Sequence, residues 1–336
     1  MRNAGHYFVT SFADLARGSD MRRGFLPLSP LLSGEVLIEL SYTSLSFKDS
    51  LFWKSSRFDV SEVPFVLGTD AVGEVLESKN KKFAPGDKVL CAANSLGTQG
   101  PGGLAEYLVC TEDELVQIPT GWTDLESIAI GTPGLTAALA LIKLGFLEEA
   151  IPNHLVVSGA SGAVGSFLIE LASGFGVETI SAITNKPELK ERLVNIGASS
   201  VLKLSTYQSE TEMKLLPEKW DCGVDSLGGT VLGNMAKATR KGGKIVSVGR
   251  ALGDYAKLSL APFYLRGVSI IGVNLEMDYP EFKNQMFQVL TSNFPKETAS
   301  IGTISYTLSD VEVLLGQISS GGLGHRSVIQ VKKAWG

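Results

Sequence analysis

The sequence predicts an α/β protein in which a doubly wound parallel sheet is inserted into a β-rich domain. Three observations predict it. A glycine turn joins a buried-type strand to an apolar helix near residue 160. Strand and helix patterns then alternate from about 150 to 275. Short strands with Gly and Pro turns fill the first 122 residues, and the tail returns to that style.

The glycine turn is the most informative element. Leu155-Val156-Val157-Ser158 runs into Gly159-Ala160-Ser161-Gly162-Ala163-Val164-Gly165. Val164, Phe167, Leu168, Leu171 and Ala172 then recur at the period of a helix with one buried face. Ala160, Gly162 and Gly165 fit the A-x-G-x-x-G form of the dinucleotide fingerprint in its strand–turn–helix context. Small residues there allow a tight turn, close backbone approach to a pyrophosphate, and close helix–strand packing. The amides from Ser161 through Gly162, Ala163, Val164 and Gly165 are therefore the candidate phosphate cradle of a Rossmann unit.

The rest of that unit follows in order. Strands are expected at Leu155–Ser158, Thr179–Thr184, Ser200–Lys203, Asp221–Val224, Lys244–Val248 and Ser269–Val273. Helices are expected at Val164–Phe175, Lys186–Ile196, Thr230–Thr239 and Pro262–Leu265. Six strands with helical crossovers is the count of a doubly wound sheet. In the first part, strands are expected at Val36–Leu40, Gly73–Leu76, Gly86–Leu90 and Ala105–Val109. The tail carries a strand at Ile304–Tyr306, a helix at Ser309–Ile318, a glycine turn at Gly321-Gly322 and a strand at Arg326–Val331. The expected domains are 1–122 with 276–336, and 123–275.

Composition narrows the function. The chain has 336 residues, 37 of them Gly, and a net charge of −5. No basic cluster appears, which speaks against nucleic acid as a partner. No apolar run of spanning length is expected, so no membrane helix. The polar N-terminal residues do not read as a secretory signal. Cys91, Cys110 and Cys222 lack C-x-x-C spacing and read as buried thiols in a reducing cytoplasm.

Several short motifs stand in a specific order: Ser44 to Asp49, Pro64 to Gly73, Pro85 to Val89, Gly102 to Tyr107, Ile130 to Ala137, the fingerprint, Asp225 to Gly229, and Pro262 to Val268. Together they resemble the medium-chain dehydrogenase/reductase superfamily over essentially the whole chain. The resemblance is nearest the zinc-free quinone-oxidoreductase branch, and within it the YhdH/AcuI-type acryloyl-CoA reductases. It implies a GroES-like catalytic domain around the Rossmann domain. Zinc-dependent relatives carry a Cys before the Lys-Asp pair and G-H-E in place of Gly68-Thr69-Asp70. Neither is present, and His6, His154 and His325 match no ligand set, so no metal is expected.

The second Rossmann strand ends at Thr184-Asn185-Lys186, with no carboxylate before Glu188. Such a trio does not repel a 2′-phosphate, and Lys186 adds a point charge, so NADP(H) is the expected cofactor. The resemblance places phosphate contacts on these three residues. It implies an Arg in the next loop, where Ser200 stands. It also implies cofactor contacts at Tyr264 and Leu275, and at Ser319 in the tail. Arg250, after the fifth strand, is read either along the cofactor or as a solvated charge.

Hydride addition to an α,β-unsaturated carbonyl builds negative charge on the carbonyl oxygen, and a proton must then reach the α carbon. The expected catalytic segment is Ser46-Phe47-Lys48-Asp49, where the resembled family usually shows Asn-Tyr-Lys-Asp. Phe47 retains an aromatic face without a hydroxyl. Ser46 retains a donor. Lys48 and Asp49 read either as an ion pair at a helix start or as an acid–base pair. Phe52 reads as core; Trp53 and Phe58 read as pocket wall or core; Asp70 reads as a strand anchor through backbone hydrogen bonds; Arg326 reads as a surface ion pair or as a contact to an acidic substrate or cofactor group.

The expected function is an NADPH-dependent, zinc-free reductase of enones, enoyl thioesters or quinones. The alternative is a non-catalytic NADPH-binding protein that keeps the fold. A small-molecule substrate and a homodimer are expected, the dimer because Ser269–Val273 is an apolar edge strand.

Overall fold

The computed structural model describes residues 5–11, 20–26, 30–54, 65–92, 96–97, 100–148, 150–294, 303–321, 323 and 325–331. Phe58, Pro64 and Gly322 lie outside the described residues. Chain contacts divide the protein into unit 1, Met1–Thr132 with Lys296–Gly336, and unit 2, Pro133–Pro295.

Unit 1 begins with β1 (Gly5–Ser11), β2 (Asp20–Leu26) and β3 (Glu35–Leu45), then α1 (Phe47–Lys54). It continues through β4 (Phe65–Val66), β5 (Asp70–Ser78), β6 (Lys88–Cys91), β7 (Tyr107–Thr111), β8 (Leu115–Gln117) and into α2 (Asp124–Leu144). Unit 2 carries β9 (His154–Ser158), α3 (Ala163–Gly174), β10 (Thr179–Thr184), α4 (Lys190–Asn195), β11 (Ser200–Lys203) and α5 (Leu204–Gln208). Then come β12 (Trp220–Asp225), α6 (Gly229–Ala238), β13 (Thr239–Ser247), α7 (Ala261–Arg266), β14 (Ser269–Gly272) and α8 (Leu275–Asn293). The chain returns to unit 1 with β15 (Thr303–Tyr306), α9 (Val311–Ser319) and β16 (Arg326–Gln330).

Unit 1 is organised by β3. One edge pairs with β5 throughout. The other edge receives β7 along Glu35–Glu39 and β16 along Tyr42–Leu45. The register shifts between Leu40 and Tyr42, where the strand bends from one neighbour to the next. The full path is β15-β16-β3-β5-β6-β8, beside a separate sheet β2-β1-β4. Val36, Ile38, Leu40, Val75, Val89, Leu115 and Ile329 fill the core, and α9 adds Val311, Leu314 and Leu315.

Unit 2 is a six-stranded sheet, β11-β10-β9-β12-β13-β14, with every pair parallel. Leu155, Val156 and Val157 are consecutive and wholly buried. A run without alternation is what a parallel strand covered on both faces requires. The order reverses between β9 and β12, which is the switch point where ligands of such sheets bind. α3 buries Phe167, Leu168, Leu171 and Ala172; Val164, in its first turn, is half-buried.

Several elements differ from their sequence expectations. The expected helix at Lys186–Ile196 begins as a 3₁₀ turn at Pro187–Leu189, with Pro at the position where its missing N–H is no loss. α8 was expected as part of the β-rich domain. It packs inside unit 2 instead, where Phe294 after its end meets Phe167 of α3 and Asp278 pairs with Lys143 of α2. By chain contacts the compact unit runs from Pro133 to Pro295, whereas the sequence places the domain at 123–275. α2 also corrects the expectation that no apolar run of spanning length exists. It is long and apolar enough to cross a bilayer, but 72% of that window is buried inside the protein. Its burial accounts for its hydropathy as a core helix.

Candidate active and cofactor site

In unit 2 the fingerprint turn sits at the switch point. Gly159 takes φ +63°, a left-handed conformation that favours glycine. A side chain on Gly165 would begin 2.4 Å from the Gly159 carbonyl oxygen, so α3 can lie this close to the strand only through a bare Cα. The Ala160 N–H donates to the Ile183 carbonyl (3.1 Å), tying the turn to β10. The amides of Ala163, Val164 and Gly165 form the first helical turn behind the N-cap Gly162, and lack intrahelical acceptors. A phosphate group fits that cradle.

The adjacent strand end is built around hydroxyls. Ser161 Oγ lies 2.8 Å from Thr184 Oγ1, and the Lys186 N–H donates to Thr184 Oγ1 (3.1 Å). Asn185 is exposed and Lys186 half-buried. These four expected residues are brought together at the C-terminal end of β10. Ser200 does not join them. Its register partner is Ser181, whose hydroxyl lies 3.1 Å away, toward the start of the parallel strands. The residue of β11 beside Thr184 is Lys203, which is exposed. The sequence reading missed it, because only the pairing register shows which β11 residue reaches that end.

On the other side of the switch point, Asp225 ends β12. It accepts from the Ser158 hydroxyl and from the Leu227 and Gly228 amides (3.3 and 2.8 Å). Ser158 Oγ in turn accepts from the Ser226 N–H (3.0 Å). Burial raises the Asp225 carboxyl, and these donors hold it down against that effect. The loop after β13 closes over this turn through Ala251 and Leu252 amides donating to the Ser226 and Leu227 carbonyls. Arg250 in that loop is exposed and pairs with Asp254 one turn on. Tyr264 on α7 is largely exposed, and Leu275 is buried at the start of α8.

In unit 1 the expected catalytic segment opens α1. The Ser46 N–H and hydroxyl both donate to Asp49 Oδ2 (2.7 Å each), and the Asp49 N–H points back to Ser46 Oγ (3.4 Å). This reciprocal pattern is a helix capping box. Thr69 Oγ1 lies 3.1 Å from Ser46 Oγ and 3.3 Å from Asp49 Oδ2, and the Gly68 N–H donates to Asp49 Oδ1 (2.8 Å). Burial raises the Asp49 carboxyl, opposed by its bonds to Ser46 and Gly68. Asp49 is wholly buried while Lys48 and Phe47 face solvent, so the expected Lys48–Asp49 ion pair is absent among the described residues. Phe52 and Trp53 are partly buried and pack against the unit 1 core. Ser319 ends α9, half-buried, with its hydroxyl on the Gly316 carbonyl (2.8 Å).

A second buried cluster joins β3, β5 and β16. Arg326 donates to Asp70 Oδ2 and to Ser44 Oγ (2.8 Å), and Ser44 Oγ donates to Asp70 (3.0 Å). The Thr132 N–H donates to Asp70 Oδ1 (3.1 Å), joined by its hydroxyl. Arg326 is thus an interior residue, not a surface ion pair, and Asp70 anchors through its carboxylate. Gly131 takes φ +40° within α2, and any side chain there would strike both Asp70 and Arg326. Among the described residues, no group of three or more His, Cys, Asp or Glu is arranged to hold a metal ion.

Comparison with known proteins agrees with this layout. Residues 32–120 match the family model described as "Alcohol dehydrogenase GroES-like domain", and residues 163–292 match "Zinc-binding dehydrogenase". The chain is 33% identical over 242 residues to the putative quinone oxidoreductase YhfP of Bacillus subtilis (strain 168), covering 71% of this chain and 72% of the relative. A crystal structure of that species' yhfP with NAD bound superposes with a TM-score of 0.89 at 26% identity, covering 98% of this chain and all of that one (100%). It is 29% identical over 308 residues to acrylyl-CoA reductase AcuI of Ruegeria pomeroyi, covering 91% and 93% of the two chains. The yhdH oxidoreductase of Salmonella enterica in complex with NADP superposes with a TM-score of 0.89 at 26% identity, covering 97% and 100%. The fold, the fingerprint turn and these matches together show that the chain belongs to the quinone-oxidoreductase branch of the medium-chain dehydrogenase/reductase superfamily.

Proposed function

We propose that this protein is an NADPH-dependent reductase of activated C=C bonds, acting without zinc, with unit 2 as the dinucleotide-binding domain and unit 1 as the catalytic domain. The carrying observation is the end of β10. Thr184, Asn185 and Lys186 stand where an NAD-preferring strand would carry a carboxylate, and Lys203 adds a second cation beside them. Relatives are named acrylyl-CoA reductase and quinone oxidoreductase, and one solved structure of the branch carries NADP while another carries NAD. Lys186 and Lys203 favour the phosphorylated form here.

When bound, NADPH would supply hydride to the β carbon of an enone or enoyl thioester, or reduce a quinone to its hydroquinone. The amides of Ala163, Val164 and Gly165 hold the pyrophosphate. The Ser161–Thr184 contact fixes the turn against β10 while Lys186 and Lys203 neutralise the 2′-phosphate. Asp225 locks Ser158 and the Gly228 turn, keeping both walls of the switch point in place. Phe47 and Lys48, both exposed at the start of α1, are the proposed catalytic groups of unit 1, an aromatic face and a positive charge that would stabilise a developing oxyanion. The Ser46 proton is committed to Asp49, so this pair positions α1 rather than trading protons. The proton for the α carbon then comes from water. Tyr264, Leu275, Arg250 and Ser319 remain proposed cofactor contacts.

We further propose a homodimer through β14, which stands at the end of the six-stranded sheet among the described residues. Free Cys91, Cys110 and Cys222 fit a reducing compartment such as the cytoplasm. The deciding experiment is NADPH oxidation with acryloyl-CoA, simple enones and quinones, using NADPH deuterated at C4. Deuterium at the β carbon of the saturated product establishes the reaction on enones and thioesters, and hydroquinone formation establishes it on quinones. The commitment of Ser46 to Asp49 also favours a second reading, a binding protein without turnover. Tight NADPH binding with no turnover on any acceptor would support that reading and reject the first.

A further inference from the structure

The mechanism above uses none of the cysteines, yet two of them meet. Cys91 ends β6 and Cys110 lies in β7, and their sulfurs are 3.0 Å apart inside the unit 1 core. Both side chains are buried. β6 and β7 are not ladder partners: β6 pairs with β5 and β8, and β7 with β3. The contact therefore crosses the interior between two separately anchored strands. Two sulfurs in that position need approach by only about 1 Å to reach the roughly 2.05 Å of a covalent bond.

The chain between these two residues matters. It passes through Leu96 and Gly97 and returns through Gly102, Gly103 and Leu104. The Gly103 N–H donates to the Gly68 carbonyl and the Leu104 N–H to the Leu67 carbonyl (2.8 Å each). A side chain on Gly102 would begin 2.2 Å from the Leu67 carbonyl oxygen, and one on Gly97 2.9 Å from that of Gly68. Gly68 itself donates to Asp49, which holds Ser46 and the start of α1. Gly97, Gly102, Gly103 and Leu104, which lie between the two cysteines in sequence, thus support the Gly68–Thr69 turn.

We propose that Cys91 and Cys110 are a convertible dithiol, and that a small peroxide oxidises them to a disulfide that bridges β6 and β7 beside the Gly68 turn. In the first step the sulfur of Cys91 attacks one oxygen of hydrogen peroxide, the O–O bond breaks, and a sulfenic acid and water result. In the second step the sulfur of Cys110 attacks the sulfenic sulfur, the S–O bond breaks, and a second water leaves with the Cys110 proton. Two thiols and one peroxide give one disulfide and two waters. Cys110 is the resolving thiol because its bond to Cys91, and then burial, hold its proton in place. Cys222 is buried in unit 2 and is not part of this pair.

Treatment of the native full chain with hydrogen peroxide, followed by alkylation and non-reducing peptide mapping, tests the proposal. The expected product has lost two hydrogen atoms and yields a single cross-linked peptide joining 91 to 110. Dithiothreitol reverses it. The cross-link raises the thermal midpoint by several degrees, since it closes a loop of the unfolded chain. Cys91→Ala and Cys110→Ala each abolish both the cross-link and the shift, and Cys222→Ala changes neither. Two outcomes overturn the proposal. One is recovery of both residues as free thiols, or of either as sulfinic acid, under conditions that oxidise the urea-unfolded chain. The other is a 91–110 cross-link that forms only after unfolding. A companion titration with NADPH, read by fluorescence, separates this test from that of the proposed function, because cofactor binding in unit 2 does not depend on the thiols.

Discussion

Arg326 donates to Asp70 in an interior almost wholly closed to water, and the two residues join the last described strand to the start of the second half of α2. Neither charge has an escape to solvent. Arg326→Ala leaves the Asp70 carboxylate buried beside Thr132 and Ser44 without its cation. The expected loss of stability is about 3–5 kcal/mol. Urea unfolding followed by circular dichroism measures it, and a loss below about 1 kcal/mol would contradict the ion pair.

On the proposed function, Lys186 and Lys203, at the ends of the second and third Rossmann strands, set cofactor choice. Lys186→Ala and Lys203→Ala are each expected to weaken NADPH binding about tenfold and to leave NADH binding nearly unchanged. Fluorescence titration at low and high salt reads both effects. The gap between the two cofactors narrows as salt rises, because Lys203 is exposed and its charge is screened.

Gly165 permits the closest approach of α3 to its strand. Gly165→Val places three carbons where the Gly159 carbonyl and Ala160 already stand. The expected result is loss of NADPH binding together with about 1–3 kcal/mol of stability. Isothermal titration and thermal unfolding on the same sample check both.

Phe47 is about half exposed, at 48%, so a hydroxyl at its ring edge meets no packed wall. Phe47→Tyr is expected to leave stability within about 0.5 kcal/mol. If proton delivery to the α carbon limits turnover, the new donor raises kcat by about tenfold or more. A solvent isotope effect on kcat, compared before and after the change, shows whether that step is the slow one.

His154 gives the protein an acid-sensitive point. Its Nε2 lies 2.8 Å from Ser181 Oγ, and burial, then the neighbouring Arg240, hold its pKa below the ordinary histidine value of 6.5. The unfolded chain therefore binds a proton here more readily than the folded one. Stability from this group is present above pH 6.5 and is lost as pH falls through that value toward the lower folded pKa. His154→Gln is expected to flatten the stability–pH profile in that window. Unfolding midpoints across mildly acidic buffers decide it.

Much of unit 2 was legible because its strands are short apolar runs bounded by glycine. β10 and β11 fall where the hydrophobic pattern puts them. α8 was not legible. Its buried residues are diluted by polar ones and by Pro280 near its start, although the Asn274 cap, which accepts from the Met277 N–H, was a readable signal. α2 was hidden by Gly131 and Pro133, which read as loop residues until the kink at Gly131 is seen. β13 begins at Thr239, earlier than expected, because Gly242-Gly243 looked like a turn and lies within the strand. At the site, the fingerprint could be read directly because its glycines are local requirements. Lys203 and the Cys91–Cys110 contact could not, since both depend on which strand lies beside which. The commitment of Ser46 to Asp49 was half visible: a Ser three residues ahead of a carboxylate is a helix-start signal as much as a catalytic one.

The shared edge of β3 has a consequence for how the chain is made. Its first half is matched by β7, but its second half waits for β16, hundreds of residues downstream on the ribosome. Unit 2 is contiguous and can condense while synthesis continues. The host around it keeps a raw strand edge, with Asp70 lacking its guanidinium, until translation reaches Arg326. Nascent chains halted before that point expose a surface primed to clump, and late-arriving residues decide whether the earliest ones ever settle.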